Sequence, residues 1–106
     1  MLTIRAKIEF YSDKLSHNLS TQNELRPGFN FGNNFIFSGT IIADKDVDEI
    51  IRDKEYEVTV ELPTIENEAY SAIEQLISFG NLIQIQNASK IIGKGEILDF
   101  KYVSLD

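Results

Sequence analysis

The chain has 106 residues, a net charge of −7 and no cysteine. This length is that of one domain, which can bury enough apolar surface to fold without disulfides, and the missing thiols exclude thiolate metal sites. The negative charge argues against a phosphate backbone as partner, and the N-terminal sequence is too interrupted by charges for a signal peptide or membrane span, so a cytoplasmic location is the default expectation.

The first predicted element is a strand over residues 2–10. Its apolar side chains alternate with polar ones, which is typical of a strand with one buried face. The apolar set is Leu2, Ile4, Ala6, Ile8 and Phe10. Residues 12–25 are polar and have no period, so they predict a long loop.

A proline-glycine step leads into the second predicted strand. Pro27 has no amide hydrogen to donate, so it belongs at a strand start or at a sheet edge. Phe29 and Phe31 are two residues apart and therefore point to one face of the strand. We expect these two phenylalanines to fill the interior of a barrel.

A turn, an interrupted strand and a charged connection follow. Residues 32–34, a glycine and two asparagines, predict the turn. Residues 35–42 predict a strand interrupted at Gly39, where a sharp bend or a close backbone approach is expected. Residues 43–55 are rich in charge and predict an exposed connection.

The next segment combines a strand with the one predicted helix. Residues 56–62 alternate strictly with their apolar side chains inward, and Pro63 ends this strand. The period then changes to that of a helix, which we predict around residues 66–78, with Gly80 just past its end.

The last segment predicts a hairpin. Residues 82–86 form its first strand, residues 87–90 its turn, and residues 91–102 one or two further strands, with Gly93 and Gly95 as flexible points. About six antiparallel strands joined by turns indicate an all-β domain, either a Greek-key barrel or a sandwich.

Five segments occur in an order found in one protein family: "RAKIEFYS", "LRPGFNF", "FSGTI", "YEVTVELP" and "LIQIQNASKIIGKGEI". Together they resemble the C-terminal barrel, or third domain, of elongation factor Tu. The resemblance implies a six-stranded antiparallel Greek-key β-barrel over the single domain, residues 1–106, with one short helix inserted around residues 66–78. The residues that carry the barrel motif are Arg26, Pro27, Phe29, Phe31, Gly39, Gly93 and Gly95.

The chain also departs from that family. The family's Pro-Gly-Asp turn is replaced by residues 51–53, Ile-Arg-Asp, and its double glycine by residues 88–89, Ala-Ser. No G-x-x-x-x-G-K-[ST] motif is present, which excludes GTP hydrolysis. The resemblance implies contacts to transfer RNA, but the few cations near the matching segments, such as Arg26, Lys90 and Lys94, face 17 acids in the whole chain. Nucleic acid is therefore a poor candidate partner.

Two sequence features could indicate catalytic or metal chemistry. In each case the surrounding residues favour a simpler interpretation. His17 is the only histidine and lies in a polar loop without acid–base partners, so an exposed loop histidine is favoured. Asp44, Asp46 and Asp48 alternate as in a calcium loop, but Glu49 replaces the glycine of the sixth position and no flanking helices are predicted. We expect no catalytic residue, no metal and no cofactor.

Acidic side chains define the predicted partner-binding surface, which consists of Asp44, Asp46, Asp48, Glu49, Glu57 and Glu61. A solvated charged face is the simpler interpretation of these residues, and a landing surface for a basic protein is the functional one.

Size, acidity and missing catalytic groups favour a non-enzymatic protein-binding module of the immunity or antitoxin type. Its partner would be a basic toxin, and a narrower version is that the barrel imitates elongation factor Tu. The alternatives are a translation-associated accessory that binds transfer RNA or a ribosomal partner, and a small hydrolase or metal-dependent enzyme. No membrane partner is expected, and the sequence leaves the oligomeric state open.

Overall fold

The computed structural model describes residues 1–104. A seven-stranded antiparallel sheet curls into a nearly closed barrel, and a second sheet of two short strands lies beside it. The strands are β1 (Leu2–Phe10), β2 (Leu19–Ser20), β3 (Gly28–Asn30), β4 (Ile36–Ser38), β5 (Thr40–Ile42), β6 (Glu49–Ile50), β7 (Tyr56–Leu62), β8 (Leu82–Asn87) and β9 (Lys90–Tyr102). Around the large sheet the order is β4-β3-β8-β9-β1-β7-β5, and β2 pairs with β6.

The alternating strands supply the barrel interior. In β1 every second side chain, from Leu2 to Phe10, is at most 1% exposed. In β7 the side chains of Val58, Val60 and Leu62 are fully buried against them. The strict period of two in both strands thus predicted which face is inside.

The two edge strands of the large sheet are joined at Gly39. The predicted strand 35–42 is divided there into β4 and β5, so the sheet has seven strands instead of the expected six. Because β4 pairs with β3 and β5 pairs with β7, two consecutive strands lie at opposite edges of the sheet. The Gly39 N–H donates to the carbonyl of Pro27 at 3.0 Å, which continues the pairing from β4 towards β5.

The close approach at Gly39 involves two buried side chains, whereas the sequence pattern predicted a sharp bend or a close backbone approach. A Cβ at this position would lie 2.7 Å from Cγ1 of Val60 and 2.8 Å from two ring atoms of Phe29. Phe29 itself is fully buried and Phe31 is 4% exposed, so both phenylalanines fill the interior as expected. Any side chain at this position would have to displace Val60 or Phe29, so glycine fits best.

The 13-residue strand β9 pairs with β8 on one side and with β1 on the other. Its register skips Leu98, which forms a bulge opposite the Arg5–Ala6 step. Gly93 and Gly95, predicted as flexible points, instead allow tight packing: a Cβ on Gly93 would lie 2.4 Å from the carbonyl oxygen of Glu9. β9 is one continuous strand.

The loop predictions for residues 12–25 and 43–55 are wrong in one respect, because each segment contains a short strand. Leu19 and Ser20 of β2 pair with Ile50 and Glu49 of β6. Ile50 is fully buried although its neighbours in the charged connection are exposed. A two-residue strand is too short to produce a detectable alternation, so the sequence pattern could not reveal this pairing.

The predicted helix is present but shorter. α1 (Glu68–Ile73) continues as a 3-10 turn (Glu74–Leu76), and Ile73 is its fully buried contact with the barrel. The ring of Tyr70 stacks on that of Tyr102 with centroids 3.8 Å apart, which fixes the helix against the end of β9. Among residues 1–104, no helix has the length and apolar character needed to cross a bilayer.

Candidate functional acidic face

Acids are concentrated in one segment of the chain. Residues 44–61 hold eight of the 17 acidic residues but only three of the ten lysines and arginines. Within it, five carboxylates are exposed on the loop before β6, on β6 itself and on the outer face of β7. We call these five residues the acidic face: Asp44, Asp46, Asp48, Glu49 and Glu57.

The loop that carries most of the acidic face is held in place by residue 21. The Thr21 N–H donates to the carbonyl of Asp48 at 3.0 Å, and its hydroxyl donates to the carbonyl of Val47 at 2.6 Å. A turn closed by the Val47 N–H and the Asp44 carbonyl, 3.0 Å apart, precedes β6. The carboxylates therefore project from an ordered backbone, which lowers the entropy lost when a partner binds.

Arg5 of β1 lies at the border of the acidic face. Its Nη2 is 3.5 Å from Oδ1 of Asp44 and 4.0 Å from Oε2 of Glu57, and its Nη1 donates to the hydroxyl of Thr59 at 3.1 Å. The side chain of Arg5 is 34% exposed, so these ion pairs are partly screened by solvent. Arg5 positions two carboxylates from different elements and neutralises part of their charge.

The six predicted partner-binding residues do not form one cluster. The structure brings Asp44 and Glu57 together at Arg5 and places Asp46, Asp48 and Glu49 on the adjoining loop and β6. Glu61 is separate: it lies opposite Thr3 and Thr40 in the strand register, is half-buried, and has no ion pair within residues 1–104.

Sequence reasoning missed the cations beside these acids. Arg5 and Lys7 belong to the polar face of β1 and lie opposite Thr59 and Glu57 in the register with β7. Opposite charges on neighbouring strands attract, but the alternation of each strand does not specify which residues face each other. The sequence did contain one signal: the polar face of β1 is basic and that of β7 is acidic, which favours pairing of these two strands.

A groove adjoins the acidic face. It lies between residues 21–25 and residues 41–48 and has a volume of about 450 Å³. We call it the loop groove. Its lining combines apolar side chains with the carboxylates of Glu24, Asp44 and Asp48.

Asp53 tethers the connection before β7 to the end of β1. Its carboxylate accepts hydrogen bonds from the N–H of Ser12, at 3.0 Å, and from the Ser12 hydroxyl, while its own N–H donates to the carbonyl of Phe10 at 2.7 Å. The Ser12 hydrogen bonds lower the pKa of the Asp53 carboxyl; burial opposes them, and the charge of Arg52 adds to them. We assign Asp53 a structural role.

The predicted motif residues differ in their exposure. Arg26 is exposed, Pro27 is half-buried, and Gly95 packs in the interior, where a Cβ would lie 3.0 Å from Ile83. His17 is exposed in its loop. In the described part of the chain no three histidine, aspartate or glutamate residues could share a metal ion.

The acidic face can attract cationic groups and accept their hydrogen bonds. A scan against protein-family models and a search of the curated proteins found no match to this chain. The functional inference therefore depends on the charges and geometry of these residues.

Proposed function

We propose that this chain is a small, non-enzymatic protein-binding module of the immunity or antitoxin type, and that it neutralises a basic toxin through the acidic face. The observation that carries this proposal is the exposure of five carboxylates on an ordered loop and the adjoining strands, in a chain whose net charge is −7. Complementary charge speeds the encounter with a basic protein and suppresses wrong partners.

The fold proposal is a Greek-key barrel similar to the C-terminal barrel of elongation factor Tu. It is supported by the strand order, in which β1 lies between β9 and β7 and in which β3 pairs with β8 rather than with β1. Such neighbours, distant in the chain, require connections across the barrel ends. Imitation of elongation factor Tu would then let the module intercept a toxin that docks on the factor.

The test is a co-expression assay with the products of neighbouring genes. A candidate basic toxin should stop growth alone and should be tolerated when this chain is co-expressed, and the two proteins should co-purify. One variant neutralises four acids of the acidic face: Asp44→Asn, Asp46→Asn, Asp48→Asn and Glu49→Gln. We expect it to lose protection and to bind at least tenfold more weakly, because several charge pairs of up to about 1 kcal/mol each are removed.

A matched variant controls for net charge. It neutralises four exposed acids elsewhere, namely Asp13→Asn, Glu68→Gln, Glu74→Gln and Asp99→Asn, and should protect like the wild type. Equal loss in both variants would show that only overall charge matters. If no basic toxin is neutralised and transfer RNA binds with a steep salt dependence, the translation-associated alternative is favoured instead.

A further inference from the structure

The loop groove has ordered walls. One wall, residues 21–25, is joined to the other through the hydrogen bonds of Thr21 and through the Ile41 N–H, which donates to the carbonyl of Leu25 at 2.8 Å. The pairing of β2 with β6 fixes the same two segments beside the groove. A groove of about 450 Å³ between tethered walls falls within the size range of sites that hold small ligands.

The lining of the loop groove is amphipathic. Its apolar part consists of Leu25, Ile41, Ile42, Ala43 and Val47, of which Ile42 is 43% exposed although it is a large aliphatic residue. Its charged part consists of Glu24, Asp44, Asp48 and Lys45, an excess of two negative charges.

In the described part of the chain, only one of the three carboxylates that line the loop groove has a nearby positive charge to pair with. Asp44 already lies near Arg5, whereas Glu24 and Asp48 have no ion pair within residues 1–104. Both are exposed, so they remain hydrated until a cation arrives. A ligand that suits this groove needs an apolar stem for the aliphatic lining and a cationic head that donates several hydrogen bonds to carboxylates.

We propose that the loop groove is a docking site for an arginine side chain presented by the basic protein partner; this inference rests on the proposed function. The aliphatic stem packs on Ile42 and Val47, and the guanidinium lies between Glu24 and Asp48. Arginine fits better than lysine because its planar head donates in a fork to carboxylates and is less strongly hydrated. An arginine buried in a pocket is also a common source of binding energy in interfaces.

The experiment is a titration of the isotope-labelled chain with the acetylated and amidated peptide Gly-Gly-Arg-Gly-Gly, followed by amide chemical shifts. Two matched peptides carry lysine or citrulline, the uncharged isostere of arginine. We expect saturable shifts confined to residues 21–25 and 41–48, with binding of the citrulline peptide at least fivefold weaker. The lysine peptide should fall between the two.

Paired variants test the residues of the groove. The double variant Glu24→Gln, Asp48→Asn should bind the arginine peptide about three- to tenfold more weakly. The control Glu68→Gln, Glu74→Gln changes the same charge on α1 and on the 3-10 turn and should leave binding unchanged. A third variant, Ile42→Ser, should weaken the arginine and lysine peptides alike, because it removes only the apolar contact. Circular dichroism verifies that each variant is folded.

Three results would overturn the site: shifts centred on Glu57 and Glu61, equal binding of the citrulline peptide, or equal effects of the groove and control variants. The two proposals fail differently. If the wild type and the Glu24/Asp48 variant neutralise a toxin equally, the arginine site is refuted and the proposed function is retained. If the chain binds the arginine peptide selectively but no toxin partner is found, the arginine site is retained and the proposed function is refuted.

Discussion

The substitution Gly39→Ala tests the tight packing at the point where the two edge strands of the large sheet are joined. The new methyl group would lie 2.7 Å from Cγ1 of Val60 and 2.8 Å from the ring of Phe29. Carbon atoms pack best at about 3.5–4.0 Å, so both buried neighbours would have to move by roughly 1 Å. Overpacking of this kind costs about 1–3 kcal/mol, and the lower entropy of the unfolded alanine chain returns about 0.4–1 kcal/mol. We expect a net loss of about 1–2 kcal/mol.

Urea unfolding followed by circular dichroism measures this loss as a lower midpoint with an unchanged slope. In a thermal scan, the midpoint should fall by about 5–10 °C. The control is Gly28→Ala, in the adjacent strand β3, whose new Cβ would first meet the Ile36 side chain at 3.1 Å. Ile36 is 44% exposed and can move, so this variant should stay within about 0.5 kcal/mol of the wild type.

A double-mutant cycle identifies the cause. Val60→Ala removes one of the two obstacles, so Gly39→Ala should cost about half as much in that background. A neutral or stabilising Gly39→Ala would contradict the steric role of Gly39, as would an equal cost with valine and with alanine at position 60.

Three further predictions concern the turns and the border of the acidic face. Ala88 has a φ of 55° in the β8–β9 turn; because glycine adopts this conformation without strain, Ala88→Gly should raise the unfolding free energy by about 0.5–1 kcal/mol in urea titrations. The lowered pKa of Asp53 means that its carboxylate stabilises the fold above the ordinary value of 3.8 and that this contribution disappears as the pH falls through the folded-state pKa. Asp53→Asn should therefore destabilise at pH 7, and the difference from the wild type should shrink below pH 3.8; a constant difference would contradict this. Arg5→Met should lower stability by about 1 kcal/mol or less at low salt, with a smaller difference in 1 M salt, and should strengthen binding of a basic toxin; weaker toxin binding would mean that Arg5 itself contacts the partner.

The sequence predicted the elements whose side chains repeat regularly. Alternation located β1 and β7 and their buried faces, and the turn residues located the hairpin between β8 and β9. The steric demand at Gly39 was also foreseeable, because glycine within a strand marks a bend or a close approach. Each of these signals lies within a few neighbouring residues.

What the sequence did not predict depends on residues that are distant in the chain. The pairing of Leu19 with Ile50 joins two polar segments that have no pattern of their own. The position of Arg5 beside Asp44 and Glu57 follows from the register of β1 with β7, which alternation leaves undetermined. The acids of the candidate site were therefore identified from the charged connection and from the outer face of β7, but their grouping and partial neutralisation required the folded structure.

The passage of the chain through Gly39 has a consequence for self-association. Unpaired backbone amides along a sheet margin are templates on which another molecule can add a strand, the first step towards fibres. Here the two margins of the large sheet are consecutive in the chain, and the N–H groups of Gly39 and Ile41 donate to the carbonyls of Pro27 and Leu25, so these two amides are already paired. The junction at Gly39 thus leaves fewer unpaired amides on which a second copy of the chain could add a strand.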